Sequence, residues 1–199
     1  MGNPRTRSWA GIALALALLL HLLGVYIFLP ARGEIFSDEP IAYWDYPLHF
    51  YQAFSAIEHL KASGRTWGYD PHLMAGYPNN TVYDVGYKLN ELWVAAFSFL
   101  GLGRAYKILV YLSFLLPPFL ILAAGRKFGL PFRESAAAAI ATVFFWRLDN
   151  TFNGTDGGVA GFVGFGMFTF ALACFLAVLF VAVFYRYTRE GRRGDLVLL

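Results

Sequence analysis

The sequence has little charge for its length and almost no cysteine. Asp, Glu, Lys and Arg make up 15% of the 199 residues, whereas average globular proteins carry about 25%. Cys174 is the single cysteine, which excludes a disulfide framework. The sequence also lacks an HExxH motif, paired-cysteine metal spacings, a GxSxG motif and a phosphate-binding glycine loop. Hydrophobic residues reach 58%, so the composition indicates a membrane protein.

Four apolar runs predict an all-α, polytopic membrane protein with about four transmembrane helices, which we treat as one membrane domain over residues 1–199. The runs cover about residues 9–29, 105–124, 134–147 and 159–185. The first run is long enough to cross a hydrocarbon core of about 30 Å, and we interpret it as an uncleaved signal anchor. The second run is interrupted by Pro117 and Pro118, and the third is short and rich in alanine.

The distribution of basic residues predicts that both termini lie on the inner side of the membrane. Lys and Arg concentrate in the segments that four spans would leave inside, as the positive-inside rule requires. These residues are Arg5, Arg7, Arg126, Lys127, Arg133, Arg186, Arg189, Arg192 and Arg193. The topology gives two outer loops, 30–104 and 147–158, on the outer face of the inner (plasma) membrane. The tail REGRRGDLVLL is typical of an inner loop followed by another span, so we expect a longer chain of which this is the N-terminal part.

The first outer loop contains a predicted amphipathic helix over 46–63. Asp45 is placed to cap its N-terminus, Pro47 lies in its first turn, and Gly64 is a stop signal. A stripe at helical spacing predicts that the helix lies on the membrane surface. The stripe consists of Phe50, Phe54, Ile57 and Lys61. We expect an irregular, turn-rich segment over 67–84 and a second interfacial helix over 87–102.

Acidic residues from both outer loops are the main candidates for chemistry. Asp38 and Asp45 belong to the first loop, and Asp149 and Asp156 to the second. Such carboxylates can bind a divalent cation or supply a general base, and His49, one turn after Asp45, can ligate a metal or contact a phosphate. The structural alternatives are a helix cap for Asp45, a solvated acid for Asp38 and turn positions for the other two.

Aromatic residues crowd the first outer loop. Belts of Trp and Tyr are usual at membrane interfaces, but the same rings can line a groove for a sugar or a lipid chain. The candidate substrate-binding residues are Trp44, Tyr46, Tyr51 and Tyr77.

Three segments together resemble the N-terminal module of GT-C membrane glycosyltransferases. The segments are DYPLHFYQAF, WGYDPHLMAGYPNNTVYDVGY and TDGGVAGFVGFGMF. Relatives in that superfamily include the catalytic subunit of oligosaccharyltransferase, protein O-mannosyltransferases and YfhO-like bacterial membrane proteins. The resemblance implies a hexosyltransferase that takes its sugar from a polyprenyl-phosphate donor. It also implies that Asp45, or secondly Asp38, lies near the acceptor, and that Asp149 and Asp156 assist through Mg²⁺ or Mn²⁺.

Two other classes of function stay open at this point. A non-catalytic membrane subunit, or a lipid- or glycan-binding protein, would use the same aromatic residues to bind without reacting. A transporter would need ionisable groups inside its spans, for which His21 and Lys107 are the candidates. We expect membrane lipid and a polyprenyl-phosphate-linked sugar as partners, together with a partner subunit or the rest of the same chain, and no nucleic acid.

Overall fold

The computed structural model describes residues 4–28, 35–73, 76–79, 88–144, 166–191 and 194. In this part the chain is mostly helical, with seven α-helices, a short 3₁₀ helix and one two-stranded sheet. The helices are α1 (Pro4–Phe28), α2 (Tyr46–Ser63), α3 (Lys88–Ala96), α4 (Leu102–Leu115), α5 (Pro117–Lys127), α6 (Phe132–Phe144) and α7 (Phe168–Glu190). The strands are β1 (Gly68–Asp70) and β2 (Tyr77–Asn79), and the 3₁₀ helix is Ser98–Leu100.

Two of the described helices are long and apolar enough to cross a membrane, namely α1 over Ser8–Ile27 and α7 over Phe168–Glu190. A third candidate is the pair α4 and α5, which is bent by 53°. The bend has a local cause, because Pro117 and Pro118 have no N–H to donate to the carbonyls one turn earlier. The predicted first, second and fourth spans therefore correspond to helices in the structure.

The predicted span over 134–147 corresponds to α6, which has 13 residues. A helix of that length rises about 20 Å, less than the hydrocarbon core of about 30 Å. Residues 145–147 lie outside the described residues. The structure thus supports two or three candidate spans, and a span over 134–147 stays a prediction.

The chain divides into two compact units. The span unit holds α1, α5, α6, the end of α4 from Ser113, and α7 from Phe170 onward. The loop unit holds α2, α3, both strands, the rest of α4 and residues 166–169. How the units combine into the predicted single domain stays a prediction.

In the span unit, α5 and α6 form a tight helical pair joined by a short connection. Gly129 follows α5 with a φ of +86°, and the Leu130 N–H donates to the Gly125 carbonyl at 3.0 Å. A glycine in the left-handed region with this hydrogen bond is a Schellman motif, which ends a helix and reverses the chain. Gly125 also permits the close approach, since a Cβ there would lie 2.8 Å from the Ser135 Oγ.

α6 packs on its other side against α1. Leu14 of α1 is buried with Ala136 and Ala139 of α6, and the small alanine side chains let the two helices come close. His21 of α1 is 2% exposed, and its Nε2 lies 3.3 Å from the Leu115 carbonyl oxygen, to which it donates. His21 therefore packs against the end of α4.

In the loop unit, α2 runs over Tyr46–Ser63, as the sequence predicted. Gly64 ends it with a φ of +70°, and its N–H donates to the Leu60 carbonyl at 2.9 Å. The prediction that the apolar stripe lies on the membrane surface stays a prediction. Phe54 is 41% exposed, while a more polar face is buried, because α3 packs against that side. That face comprises Tyr46, His49, Gln52, Ala53, Ser55, Ala56 and Ile57.

The segment after α2 is more regular than the sequence predicted. β1 and β2 pair antiparallel, with Asp70 opposite Tyr77. The predicted helix over 87–102 is instead α3 followed by the 3₁₀ helix. The 3₁₀ helix ends at Gly101, which has a φ of +96°. Glycine is favoured at such a φ because other residues clash there.

Candidate functional site

The start of α2 carries four of the nine predicted site residues, Trp44, Asp45, Tyr46 and His49, but its geometry differs from the expected cap. Asp45 precedes the helix with φ −80° and ψ −5°, and its side chain makes no capping hydrogen bond. A capping residue usually has extended backbone, which aims its oxygen at the N–H groups of the first turn. Asp45 thus occupies the N-cap position that the sequence predicted, but its side chain does not form the predicted capping bond. Its carboxylate is exposed.

The preceding residue, Trp44, sets up this geometry. It has a φ of +45°, which is rare for a bulky side chain, and its side chain is 60% exposed. The Tyr46 N–H donates to the Tyr43 carbonyl at 3.1 Å, which closes a turn around Trp44 and Asp45. Backbone in this strained region occurs often at functional sites.

The backbone of this turn is held from several sides. The Tyr106 hydroxyl donates to the Tyr46 carbonyl at 2.8 Å, and the Tyr46 and Phe168 rings stack with centroids 6.0 Å apart. Gly166 lies so close that a Cβ there would be 3.0 Å from the Tyr46 nitrogen. The Asn90 side-chain amide donates to the His49 carbonyl at 2.9 Å. Asp45 therefore stands on a fixed turn rather than on a loose helix end.

His49 lies in the same turn and is buried, with 4% of its surface exposed. Its Nδ1 lies 3.3 Å from Gln52 Oε1, and Phe168 meets the imidazole edge-on at 5.5 Å. Burial lowers the pKa of His49, while the Gln52 hydrogen bond and the Asp45 charge oppose that effect. The imidazole is therefore neutral at neutral pH, and donation from Nδ1 to Gln52 would leave the ring's lone pair on Nε2.

Asp38 has the capping role that was expected of Asp45, but on another helix. Its Oδ1 accepts hydrogen bonds from the backbone N–H groups of Gly103 at 3.0 Å and Arg104 at 3.3 Å. These two N–H groups belong to the first turn of α4, which has no partner for them inside the helix. A Cβ at Gly103 would overlap the Asp38 carbonyl, so the glycine permits this approach. The catalytic role of Asp38 stays a prediction.

Tyr51 and Tyr77 meet around a residue that the sequence analysis did not single out, Asp70. The Tyr51 hydroxyl donates to Asp70 Oδ2 at 2.5 Å, the His72 N–H donates to Oδ1 at 2.9 Å, and Tyr77 pairs with Asp70 across the hairpin. The hydrogen bond to Asp70 raises the pKa of Tyr51 to about 12.

Asp70 itself is 6% exposed. Burial acts to raise its pKa, but the hydrogen bonds from Tyr51, His72 and Leu73 outweigh it and hold the pKa below its usual value. Asp70 is thus ionised at neutral pH. It borders a cleft of about 200 Å³. The cleft is lined by Tyr51, Phe54, Ser55, Glu58, His59, Tyr69, Asp70, Pro71 and His72.

The sequence analysis also missed polar residues buried on α3. Asn90 is fully buried, and Glu91 is 1% exposed with its carboxylate 2.8 Å from the Lys88 ammonium. The Lys88 side chain is 35% exposed, so only the Glu91 side of this ion pair is buried. Helical spacing places Asn90, Glu91 and Val94 on one face of α3. Two polar residues on the same face as an apolar one were the sequence feature that could have revealed this buried pair.

The structure brings only part of the predicted constellation together. Asp45, Tyr46 and His49 share one turn, while Tyr51 and Tyr77 belong to the Asp70 cleft. Asp149 and Asp156 lie outside the described residues, so their meeting with Asp45 stays a prediction. Within the described ranges, no group of three or more His, Cys, Asp or Glu residues could hold a metal ion.

These observations define the class of protein as mostly helical, with two or three helices suited to span a membrane. Comparison of the chain with protein families, curated proteins and solved structures gave no match.

Proposed function

We propose that the chain is a GT-C-like glycosyltransferase, or the N-terminal part of one. It would transfer a sugar from a polyprenyl-phosphate donor on the outer face of the plasma membrane. The proposal includes four spans with both termini inside, which would put Asp45 and the second loop on the outer side. The observation that supports it best is Asp45, an exposed carboxylate that caps no helix and stands on a fixed turn beside the buried His49.

In this proposal Asp45 acts as the general base. The acceptor hydroxyl oxygen forms a bond to the anomeric carbon of the sugar, and its proton passes to the Asp45 carboxylate. The bond between the anomeric carbon and the phosphate oxygen breaks, and the polyprenyl phosphate leaves with the electron pair. A phosphate contact by neutral His49 would need the tautomer with the proton on Nε2, with the Gln52 amide turned so that its NH₂ group donates to Nδ1. Trp44 would contact the sugar. A divalent cation is proposed only with Asp149 and Asp156, and none of these steps passes through it.

The test is sugar transfer by the full-length protein in native membrane, with a radiolabelled polyprenyl-phosphate sugar as the donor. Asp45→Asn keeps the size of the side chain and removes the base, so transfer should fall by about 10²-fold or more. Glu39→Gln is the matched control, an exposed acid of the same loop whose loss should leave transfer within about twofold. Equal transfer by Asp45→Asn and wild type would show that Asp45 is not the base.

A second candidate function is binding of a glycan without reaction, which the cleft at Asp70 favours. Its walls combine exposed aromatic rings with an ionised carboxylate, a combination that can contact both faces of a sugar. Tyr69→Ala should then abolish glycan binding, measured by calorimetry, while Asp45→Asn should leave binding unchanged. Loss of binding in Asp45→Asn instead would favour the site at α2. Transport ranks third, since His21 and Lys107 are both buried and hydrogen-bonded.

A further inference from the structure

The exposed face of α3 is apolar, while its buried face is mostly polar. The exposed residues of this helix are Leu89, Leu92 and Ala96. Its buried residues are Asn90, Glu91 and Val94. A surface helix of a water-soluble protein has the opposite arrangement, with its apolar face toward the core and its polar face toward solvent. The polarity of α3 is therefore that of a helix whose outer face meets an apolar medium.

The apolar face continues from α3 into the 3₁₀ helix. Leu89, Leu92, Ala96 and Phe99 follow one another at intervals of three, four and three residues, which is the spacing of one helix face. We call these four residues the α3 stripe. The exposed fraction is 50% for Leu89, 55% for Leu92 and 78% for Phe99, so the large side chains of the stripe lie open together.

The α3 stripe lies beside the start of a candidate span. α4, the first half of the bent pair that qualifies as the third span, begins at Leu102, three residues after Phe99. Three residues of chain reach at most about 10 Å, so Phe99 lies close to the level at which α4 would enter the membrane. The Trp93 ring N–H donates to the Ala105 carbonyl at 2.9 Å, which fixes α3 against the first turn of α4.

A second exposed ring approaches the same helix start from another segment of the chain. Phe36 is 84% exposed, and Asp38, two residues later, accepts hydrogen bonds from the first turn of α4. Arg104 lies in that turn and is also exposed. Apolar side chains with a basic residue beside them are typical of a segment at a membrane interface, where lipid phosphates can meet the charge.

Position and area decide between lipid and protein as the occupant of this surface. Lipid is already present wherever a span enters the membrane, so the α3 stripe needs no further partner to leave water. From their exposed fractions, the α3 stripe and Phe36 expose roughly 500 Å². A stable protein interface buries about 800 Å² on each partner, so a second copy or another protein would have to cover polar surface as well. The lipid surface therefore fits this patch better than a protein does.

We propose that the α3 stripe and Phe36 insert into the lipid leaflet at which α4 begins, and so anchor the loop unit at the membrane surface. The sequence predicted an interfacial helix in this region, and the structure adds which residues face the lipid and which face the protein. On the protein side, the Asn90 amide donates to the His49 carbonyl at 2.9 Å, so the anchor also sets the depth of the first turn of α2. The anchor takes α4 as the start of a span and does not depend on the glycosyltransferase proposal.

The experiment measures the depth of spin labels on the purified full chain in phospholipid nanodiscs. Cys174→Ser removes the single cysteine, and Leu92→Cys or Phe99→Cys then provides one labelling site on the stripe. Both positions are exposed, so a label there displaces no packed side chain. Collisions with O₂, which concentrates in lipid, and with a water-soluble nickel chelate report the depth. Both labels should lie about 5–10 Å below the lipid phosphates, as for an interfacial helix.

Ala62→Cys, also in the Cys174→Ser chain, is the matched control, because Ala62 is an exposed position on α2 in the same unit. It adjoins Lys61, whose ion pair with Glu58 is exposed and would be costly to place in hydrocarbon. The Ala62 label should therefore collide mainly with the nickel chelate. Equal depths for the Leu92 and Ala62 labels would overturn the proposal. A Leu92 label that neither reagent reaches would overturn it too, since a second copy or another part of the chain would then cover the stripe.

Discussion

Replacing Asp38 with alanine, and comparing the result with Asp45→Ala, tests the different roles that the structure gives these two acids. In the structure Asp38 Oδ1 accepts two hydrogen bonds from the first turn of α4, at 3.0 and 3.3 Å. Asp45 immediately precedes α2 and accepts no capping bond with its side chain. Asp38→Ala should therefore destabilise the loop unit, while Asp45→Ala should not.

The expected size follows from the capping contacts. Loss of a capping side chain costs about 1 kcal/mol, and loss of the negative charge near a helix N-terminus adds about 0.3–1 kcal/mol. We expect the free energy of unfolding to fall by about 1–2 kcal/mol in Asp38→Ala. For Asp45→Ala we expect a change below about 0.5 kcal/mol, as for most surface substitutions. Asp38→Asn keeps an oxygen acceptor and should fall between the two.

Two measurements check this prediction. Urea unfolding in detergent gives the change in free energy, and amide hydrogen exchange of the peptide that contains Gly103 and Arg104 gives a local reading. Both amides donate to Asp38, so their exchange should accelerate in Asp38→Ala and stay unchanged in Asp45→Ala. If Asp45→Ala lowers stability as much as Asp38→Ala, the assignment of the cap is wrong.

Three further predictions concern other contacts. Tyr51→Phe removes the hydrogen bond to Asp70 and should cost about 1–2 kcal/mol at pH 7. Because the pKa of Asp70 is lowered in the folded chain, its ionised carboxylate stabilises the fold at pH values above the usual carboxyl pKa. This stabilisation is lost as the pH falls toward the native pKa. Acid unfolding should therefore be steeper in wild type than in Tyr51→Phe. Burial lowers the pKa of His49 below 6.5, so the unfolded chain takes up a proton first as pH falls. The melting temperature should therefore drop from pH 7.5 to 5.5 in wild type and stay flatter in His49→Gln. Gly129→Ala places a side chain at a φ of +86°, which should cost about 1–2 kcal/mol in thermal unfolding although no atom lies within 4 Å of the new Cβ.

Each of these has an outcome that contradicts it. Parallel acid unfolding of wild type and Tyr51→Phe would show that the Asp70 hydrogen bond does not shift its titration. A pH dependence that persists in His49→Gln would belong to another group. Gly194→Ala is the control for Gly129→Ala, since its Cβ would also meet no neighbour and its φ is not in the left-handed region.

Local chemistry made several elements predictable. Pro47 and Gly64 set the ends of α2 because each restricts or permits backbone angles without help from distant residues. Gly129 in the same way marks the turn between α5 and α6. The strands β1 and β2 were missed because three-residue strands have no periodicity to recognise and depend on their pairing.

The face of α2 that packs against α3 was not predicted, for a related reason. Hydrophobic spacing favoured Phe50 and Phe54, but burial is decided by the packing partner, and α3 brings polar groups that can bond to His49 and its neighbours. Asp38 likewise meets Gly103 across 65 positions of sequence, a distance over which no local signal operates.

The sequence by itself determined that this is a helical protein with long apolar segments, and where α2 begins and ends, because those properties come from composition and from backbone preferences of single residues. Only the tertiary structure decided which acid caps a helix and which stays exposed. It also decided that Phe168 stacks on Tyr46 and that Tyr51 bonds Asp70. The physical reason is that hydrogen bonds and ring contacts require atoms a few ångströms apart, and folding brings these partners together from distant parts of the chain.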